Sequence, residues 1–136
     1  MIDMTLAMAE RAARAAQDKA RQLGTPMTVT VVDEAGRLVL CARGDGTGFF
    51  TPETSRAKAV AAANFRISTA EMADRVQKNS PFWTSVGSVL HGQLLPSHGG
   101  MPITVSGRVL GGIGCGGGTG EQDHECAMAG AAALAG

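Results

Sequence analysis

The sequence of 136 residues has no tyrosine, a single tryptophan, few cysteines and no excess of either charge. Lys plus Arg number 12 and Asp plus Glu number 12, so no net field favours nucleic acid or an anionic membrane. The scarcity of aromatic rings also argues against a stacking platform for single-stranded nucleic acid. We therefore expect neither a nucleic-acid partner nor a membrane partner.

Long apolar segments and paired cysteines are absent as well. No apolar run approaches the ~20 residues that are needed to span a bilayer. The first four residues lack the basic start and the apolar core of a signal peptide. The cysteines, Cys41, Cys115 and Cys126, are odd in number and follow no disulfide framework, so a reducing cytoplasm is the expected compartment. The length predicts one domain over residues 1–136.

The order of predicted elements indicates the fold class. Helices are predicted over residues 5–23, from a cap at Thr51 to about Asn64, from a capping box that starts at Ser68, and from near Gly120 nearly to the end. Strands are predicted over residues 27–33, 38–43, 101–105 and 108–115, as two hairpins. Proline and glycine make residues 79–100 an expected long loop with short helical pieces. This pattern predicts an α+β fold, an antiparallel sheet flanked by helices.

The segment GGIGCGGGTGEQDHECAMAG, residues 111–130, stands out by its glycine content. Gly112 to Gly117 fits the G-x-G-x-x-G pattern of dinucleotide loops, but the required second parallel strand and later acidic residue have no room to follow. Glu121 and Asp123 also place negative charge where a phosphate would bind. The glycines instead predict a thin strand against which a helix, a neighbouring subunit or a flat ligand packs closely.

Two histidines are candidates for chemistry. His98 lies in the loop before a predicted strand and His124 in the first turn of the last helix, so we expect them to approach each other across the glycine strand. With Cys115, Cys126 or Glu121 they could bind a divalent metal, although no C-x-x-C or H-E-x-x-H spacing is present. His98 could equally act as a general base, since an unperturbed histidine titrates near neutral pH. Each histidine alone is also compatible with a plain hydrogen-bonding role.

Polar groups elsewhere could bind a ligand. The amino end of the second helix, residues 51–55, followed by Arg56 and Lys58, offers free amides and two cations to a carboxylate. Asp33 and Arg43 end the first two strands and are expected at the mouth of a pocket. The simpler alternative is that Asp33 stabilises a turn and Arg43 is an arginine in solvent. Aromatic residues at positions 49, 50, 82 and 83, including Phe50, could form flat walls or simply belong to the core.

Four motifs carry a family resemblance: GTGEQD within residues 111–133, VDEAG at 32–36, AKA at 57–59 and GGMPI at 99–103. With them the chain resembles the GlcG/HbpS-like haem-binding family, which also includes the C-terminal domain of PduO-type proteins. The resemblance covers nearly the whole chain. It implies a profilin-like fold, a homo-oligomer of two to eight subunits, and ligand sites near subunit surfaces. The histidine that ligates haem from the first helix of some relatives has no counterpart in residues 5–23.

The resemblance and the residues together predict a small cytoplasmic protein that binds haem or another tetrapyrrole. The glycine strand is the expected floor of its pocket. The expected ligand-binding residues are Asp33, Arg43, Phe50, Lys58, His98, Gly99, Gly100, Thr119 and Glu121. His98 could serve as the haem ligand or equally as a general base. The alternative is an enzyme, a lyase, isomerase or hydrolase of a small metabolite. It would use His98 or His124 with Glu121 or Asp33, with or without a divalent metal.

Overall fold

The computed structural model describes residues 3–135, and in that part of the chain two hairpins form one sheet. The elements are α1 Leu6–Leu23, β1 Thr28–Asp33, β2 Leu38–Ala42, α2 Thr51–Phe65, α3 Thr69–Lys78, α4 Ser80–Val89, β3 Gly100–Val105, β4 Arg108–Gly116 and α5 Gly120–Ala132. The strand order is β2-β1-β4-β3, and every neighbouring pair is antiparallel. The predicted α+β class is confirmed.

Alanine allows α1 and α5 to pack closely on one face of the sheet. The buried alanines of α1 recur at helical spacing, at positions 9, 12, 13, 16 and 20. They pack with Val29, Val31 and Ile113 of the two central strands in the main hydrophobic core. Gly130 of α5 faces the same core, and a Cβ there would lie 2.3 Å from Ile113 Cδ1. Small side chains thus determine the distance between helices and sheet.

Helix α2 covers the opposite face of the sheet. Val32 of β1 packs there against Ala59, Val60 and Ala63 of α2. The neighbouring inward positions of β1 are threonines, and their hydroxyls pair with α2. Thr28 lies 2.8 Å from the Thr51 hydroxyl and Thr30 lies 2.7 Å from that of Ser55. The buried polar groups on this face therefore satisfy one another.

Two sequence-based boundaries were wrong. Thr51 does not cap α2; it is the first helical residue, because its hydroxyl bonds to Thr28 and to the Gly48 carbonyl rather than to a helix amide. Residues 80–89, expected to be mostly irregular, form the ten-residue helix α4. Pro81 is tolerated there because the first turn needs no amide from it, and the buried Trp83 packs with Phe65.

Candidate functional site

A cavity of about 330 Å³ lies where β4 ends and α2 begins. Its walls come from Thr51, Thr54 and Lys58 of α2, residues 116–118 at the end of β4, Asp123 of α5, and Phe50, Leu95 and Ser97 of the loops. Helix α2 is distant in sequence from β4 and α5, and the three meet here because β4 runs beneath α2 and then turns directly into α5. The cavity is at the small end of the range of about 300–1,000 Å³ that is typical of ligand pockets.

A buried ion pair forms the polar wall of this cavity. Lys58 and Asp123 are only 6% and 5% exposed. Lys58 Nζ donates to Asp123 Oδ2 at 3.1 Å and to the Cys115 carbonyl at 2.8 Å, while Asp123 Oδ1 accepts from the Gly118 amide at 2.9 Å. Pairing and hydrogen bonding offset the high cost of burying each charge.

Burial also alters the acid–base properties of this wall. It raises the pKa of Asp123, although the Lys58 charge and the Gly118 amide oppose the change. Burial raises the pKa of the Cys115 thiol well above its usual value, with smaller contributions from Cys126 and Asp123. Burial likewise raises the pKa of Cys126 to about 11. Both cysteines therefore stay protonated at neutral pH and are unsuited to metal ligation or nucleophilic attack.

His98 and His124 do approach each other, as the sequence predicts. Their ring centroids are 6.1 Å apart in an edge-to-face arrangement. His124 Nδ1 is buried without a hydrogen-bond partner, which is unusual for a polar atom. Both histidines are half-buried, and each follows a cavity-lining residue, Ser97 or Asp123. Neither histidine lines the cavity itself, and from these neighbours we infer that the pair lies near its rim.

The glycine strand is mainly a packing surface and only at its end a pocket floor. A Cβ on Gly112 would lie 2.2 Å from the Ala59 carbonyl, and one on Gly114 would lie 1.8 Å from that of Ser55. Of the three partners that the sequence allows, helix α2 is the one that packs there. The sequence predicts that the whole glycine strand forms the floor of the pocket, but only its end, residues 116–118, lines the cavity.

The amino end of α2 offers fewer donors than predicted. The amides of Glu53 and Thr54 already bond to the Phe50 carbonyl and that of Thr51 to the Gly48 carbonyl. Lys58 faces the cavity, whereas Arg56 is exposed and lines shallower depressions elsewhere. The expected cluster of free amides and two cations is therefore reduced to one paired lysine.

Asp33 and Arg43 do not share a pocket mouth. The pairing of Val32 with Leu38 and of Val29 with Ala42 places them at opposite ends of the first hairpin. Asp33 accepts from the Ala35 and Arg37 amides and from the Arg37 side chain. Burial alone would raise the pKa of Asp33, but these hydrogen bonds together lower it. Asp33 therefore makes the contacts of an acidic residue that stabilises the hairpin turn.

The remaining predicted residues border the cavity without lining it. Gly99 has φ of 123°, and a Cβ there would lie 2.6 Å from the Cys115 carbonyl and 3.1 Å from Lys58 Nζ. The Gly100 amide donates to Thr69 Oγ1. Thr119 caps α5 in a capping box, and Glu121 is exposed in the first turn of that helix. Among residues 3–135, no hydrogen bond links Glu121 to His98 or His124.

Asp123 was missed as a site residue, because it was assigned only as charge at the start of a helix. A signal was available in its spacing. Asp123, Ala127 and Gly130 follow one another at four and three residues and form one buried stripe of α5. An acid on such a stripe requires a buried partner. Thr54 and Ser97, by contrast, carry no distinctive signal.

Residues 3–135 contain neither a metal-binding cluster nor a membrane-spanning helix. No group of three or more His, Cys, Asp or Glu side chains in residues 3–135 is arranged to hold a metal ion. None of the helices in the same residues has the length and the apolar character needed to cross a membrane.

These features define an α+β domain with one sheet between helices and a small polar cavity at the end of its glycine strand. The family model described as "Haem degrading protein HbpS-like" matches residues 4–132. The chain belongs to this HbpS-like family.

Relatives agree with this assignment. An uncharacterized 15.0 kDa protein of Citrobacter freundii is 34% identical over 128 residues, which cover 89% of this chain and 84% of the relative. The corrinoid adenosyltransferase PduO of Salmonella typhimurium is 31% identical over 89% of this chain, which spans only 36% of PduO.

Solved structures show the same fold. An HbpS double mutant from Streptomyces reticuli is 34% identical, with a TM-score of 0.87 over 98% of this chain and 88% of its own. The PduOC:Heme complex is 28% identical, with a TM-score of 0.87 over 98% of this chain and 96% of its own. The family resemblance inferred from the sequence motifs is confirmed.

Proposed function

We propose that this protein binds haem or a related tetrapyrrole. The observation that carries the proposal is the likeness to the PduOC:Heme complex over 98% of the chain, at 28% identity. The HbpS-like family match over residues 4–132 supports it.

The histidine pair at the cavity rim fits a tetrapyrrole. Imidazole is a common axial ligand of haem iron, and His98 is half-buried on a loop rather than locked inside the core. Phe49 and Phe50 are 87% and 54% exposed, and Phe50 lines the cavity together with Ser97, the neighbour of His98. The cavity has a volume of only about 330 Å³, and His98 and Phe50 are the residues that would hold the macrocycle beside it. We assign iron ligation to His98, with His124 beside it.

A haemin titration of the purified protein, followed by the Soret band, tests this proposal. We expect a saturable shift at about one haem per chain, and a Kd at least about tenfold higher in His98→Ala. His91→Asn is the matched control, because His91 is an exposed histidine with φ of 54°, a conformation that asparagine tolerates. That variant should bind like the wild type.

The outcomes separate the parts of the proposal. Absence of a saturable shift in the wild type would overturn haem binding. An unchanged Kd in His98→Ala would support haem binding but show that His98 is not the iron ligand. The Kd of His124→Ala would then be compared with that of His91→Asn.

We also propose that residues 1–136 act as one cytoplasmic domain that assembles into a homo-oligomer. An exposed apolar patch supports the assembly: Met128 of α5 is 47% exposed beside Ala129 and Ala132. Light scattering coupled to size-exclusion chromatography measures the mass directly. A monomer at micromolar concentration would contradict this part.

A further inference from the structure

The cavity between α2 and the end of β4 contains an amine and a carboxyl group that haem binding at the rim does not use. We propose that Lys58 is a nucleophile that condenses with a small neutral carbonyl compound in this cavity, with Asp123 as its proton acceptor. This inference does not depend on haem binding.

The geometry around Lys58 Nζ leaves one position open. Its bonds to the Cys115 carbonyl at 2.8 Å and to Asp123 Oδ2 at 3.1 Å use two of the three substituent positions of the amine. Lys58 and Gly116 line the same cavity, and a Cβ added at Gly116 would lie 3.9 Å from Nζ, so we assign the third position to this side. In a neutral amine that position carries the lone pair.

Asp123 is placed to accept a proton from Lys58, because Asp123 Oδ2 lies 3.1 Å from Lys58 Nζ. A desolvated site penalises two charges more than a neutral pair, and desolvated lysines are the ones that proteins use as nucleophiles. Burial already raises the pKa of Asp123. The titratable groups that face the amine from β4 and α5 are Cys115 and Asp123, and the buried Cys115 stays a neutral thiol.

The lining defines the class of ligand. The formal charges of Lys58 and Asp123 cancel, so an ionic ligand gains little attraction here. Thr54 and Ser97 supply hydroxyls that can hydrogen-bond a carbonyl oxygen, while Leu95 and Phe50 supply apolar surface. The volume of about 330 Å³ admits a small molecule only. A short aldehyde or ketone satisfies these conditions.

The reaction needs no oxidant or reductant. Asp123 takes a proton from the Lys58 ammonium, and the amine attacks the carbonyl carbon. The new C–N bond forms as the C=O π bond breaks, and the oxygen receives the proton from Asp123. Asp123 then takes a second proton from the nitrogen and passes it to this hydroxyl, which leaves as water through the open side of the cavity. The C=N bond to Nζ forms as the C–O bond breaks, and the nitrogen keeps one proton.

Reductive trapping tests the inference. The protein is incubated at pH 6 with butanal and cyanoborohydride, and alkylation of each lysine is followed by peptide mass spectrometry. Amines in water titrate near pH ~10.4 and are almost fully protonated at pH 6, so they react slowly. Lys78 is exposed and serves as the internal control. We expect Lys58, although buried, to react at least about tenfold faster than Lys78.

Two variants make the result specific. Gly116→Val fills the cavity with a residue that strands favour, and it should abolish the excess labelling of Lys58 and leave Lys78 unchanged. Asp123→Asn removes the proton acceptor and should lower Lys58 labelling to that of Lys78 or below. Labelling of wild-type Lys58 no faster than Lys78 would overturn the inference, whatever the haem titration shows. Excess labelling that survives Gly116→Val would also overturn it, because the reaction would then lie outside the cavity.

Discussion

Three glycines of β4 face helix α2 from the same side of the strand, yet their surroundings differ. Gly112 and Gly114 form one region, and Gly116 forms the other. The first two lie so close to the helix that a Cβ would overlap the backbone carbonyls of Ala59 and Ser55. At Gly116 the nearest atoms to such a Cβ would be 3.4 Å away or more. The same amino acid therefore serves close packing in one region and an open cavity in the next.

The difference follows from where α2 begins. Its first residue is Thr51, so only side chains of its first two turns, those of Thr51, Thr54 and Lys58, reach toward Gly116. β4 ends at Gly116, and the chain then passes through residues 117–119 into α5, which brings Asp123 to the same place. Close helix–strand packing thus ends where the polar cavity starts.

Gly114→Ala should have the largest effect on stability. Its Cβ would lie 1.8 Å from the Ser55 carbonyl and 2.8 Å from the Ala59 amide, both backbone atoms of a helix held at each end by other contacts. We expect a loss on the order of 5 kcal/mol, at the upper end for a single substitution, or failure to fold. Urea denaturation followed by circular dichroism measures it.

Gly87→Ala is the control for Gly114→Ala. Gly87 lies inside α4, and a Cβ there meets nothing within 4 Å. Alanine should stabilise that helix by up to about 1 kcal/mol. If Gly114→Ala unfolded at the same urea concentration as the wild type, close packing would not be the reason for glycine in this part of β4.

Lys58→Met should have the second largest effect, because it breaks the buried pair at the boundary between the two regions. Removing one member of such a pair costs about 3–5 kcal/mol, since the other charge remains buried. The raised pKa of Asp123 determines how this loss of stability changes with pH. Asp123 is protonated in both states below its unfolded pKa of about 3.9, so the penalty is absent there, grows as pH rises from that value toward the raised folded pKa, and is complete above it.

Urea unfolding at pH 7 and at pH 4 checks this dependence, with a smaller deficit expected at pH 4. The double variant Lys58→Met/Asp123→Leu is the control, and it should recover at least about half of the loss at pH 7 because no charge stays buried. A double variant as unstable as the sum of the single ones would show that the two side chains act independently.

The fold was largely predictable, because its signals are local. Helical spacing of alanine in α1, two hairpins and the Gly120 helix start determine most elements and the antiparallel sheet. Helix α4 was not predicted because Pro81 and Gly87 weaken its pattern, and burial of Trp83 against Phe65 compensates. That contact depends on tertiary packing and produces no periodic pattern in the sequence.

The site was less predictable, because it depends on pairs distant in sequence. Lys58 and Asp123 are 65 residues apart, and nothing local shows that they meet. The approach of His98 to His124 was predicted from the order of elements. The assignment of Asp33 and Arg43 to one mouth was wrong, because antiparallel pairing puts the ends of successive strands on opposite sides.

Gly116→Ala should have the smallest effect on stability and gives the sharpest test of the contrast within β4. The added Cβ would lie 3.4 Å from Thr54 Oγ1 and 3.9 Å from Lys58 Nζ, which are ordinary contacts. Because alanine also restricts the unfolded chain, the change in unfolding free energy should lie within about 1 kcal/mol of zero. Urea denaturation of both variants, Gly116→Ala and Gly114→Ala, measures the two changes.

A loss comparable to that of Gly114→Ala would mean that α2 covers Gly116 as closely as Gly114, and the cavity would then not exist in solution. A near-neutral result would instead leave the empty space beside Lys58 as the reason why only this glycine can be replaced.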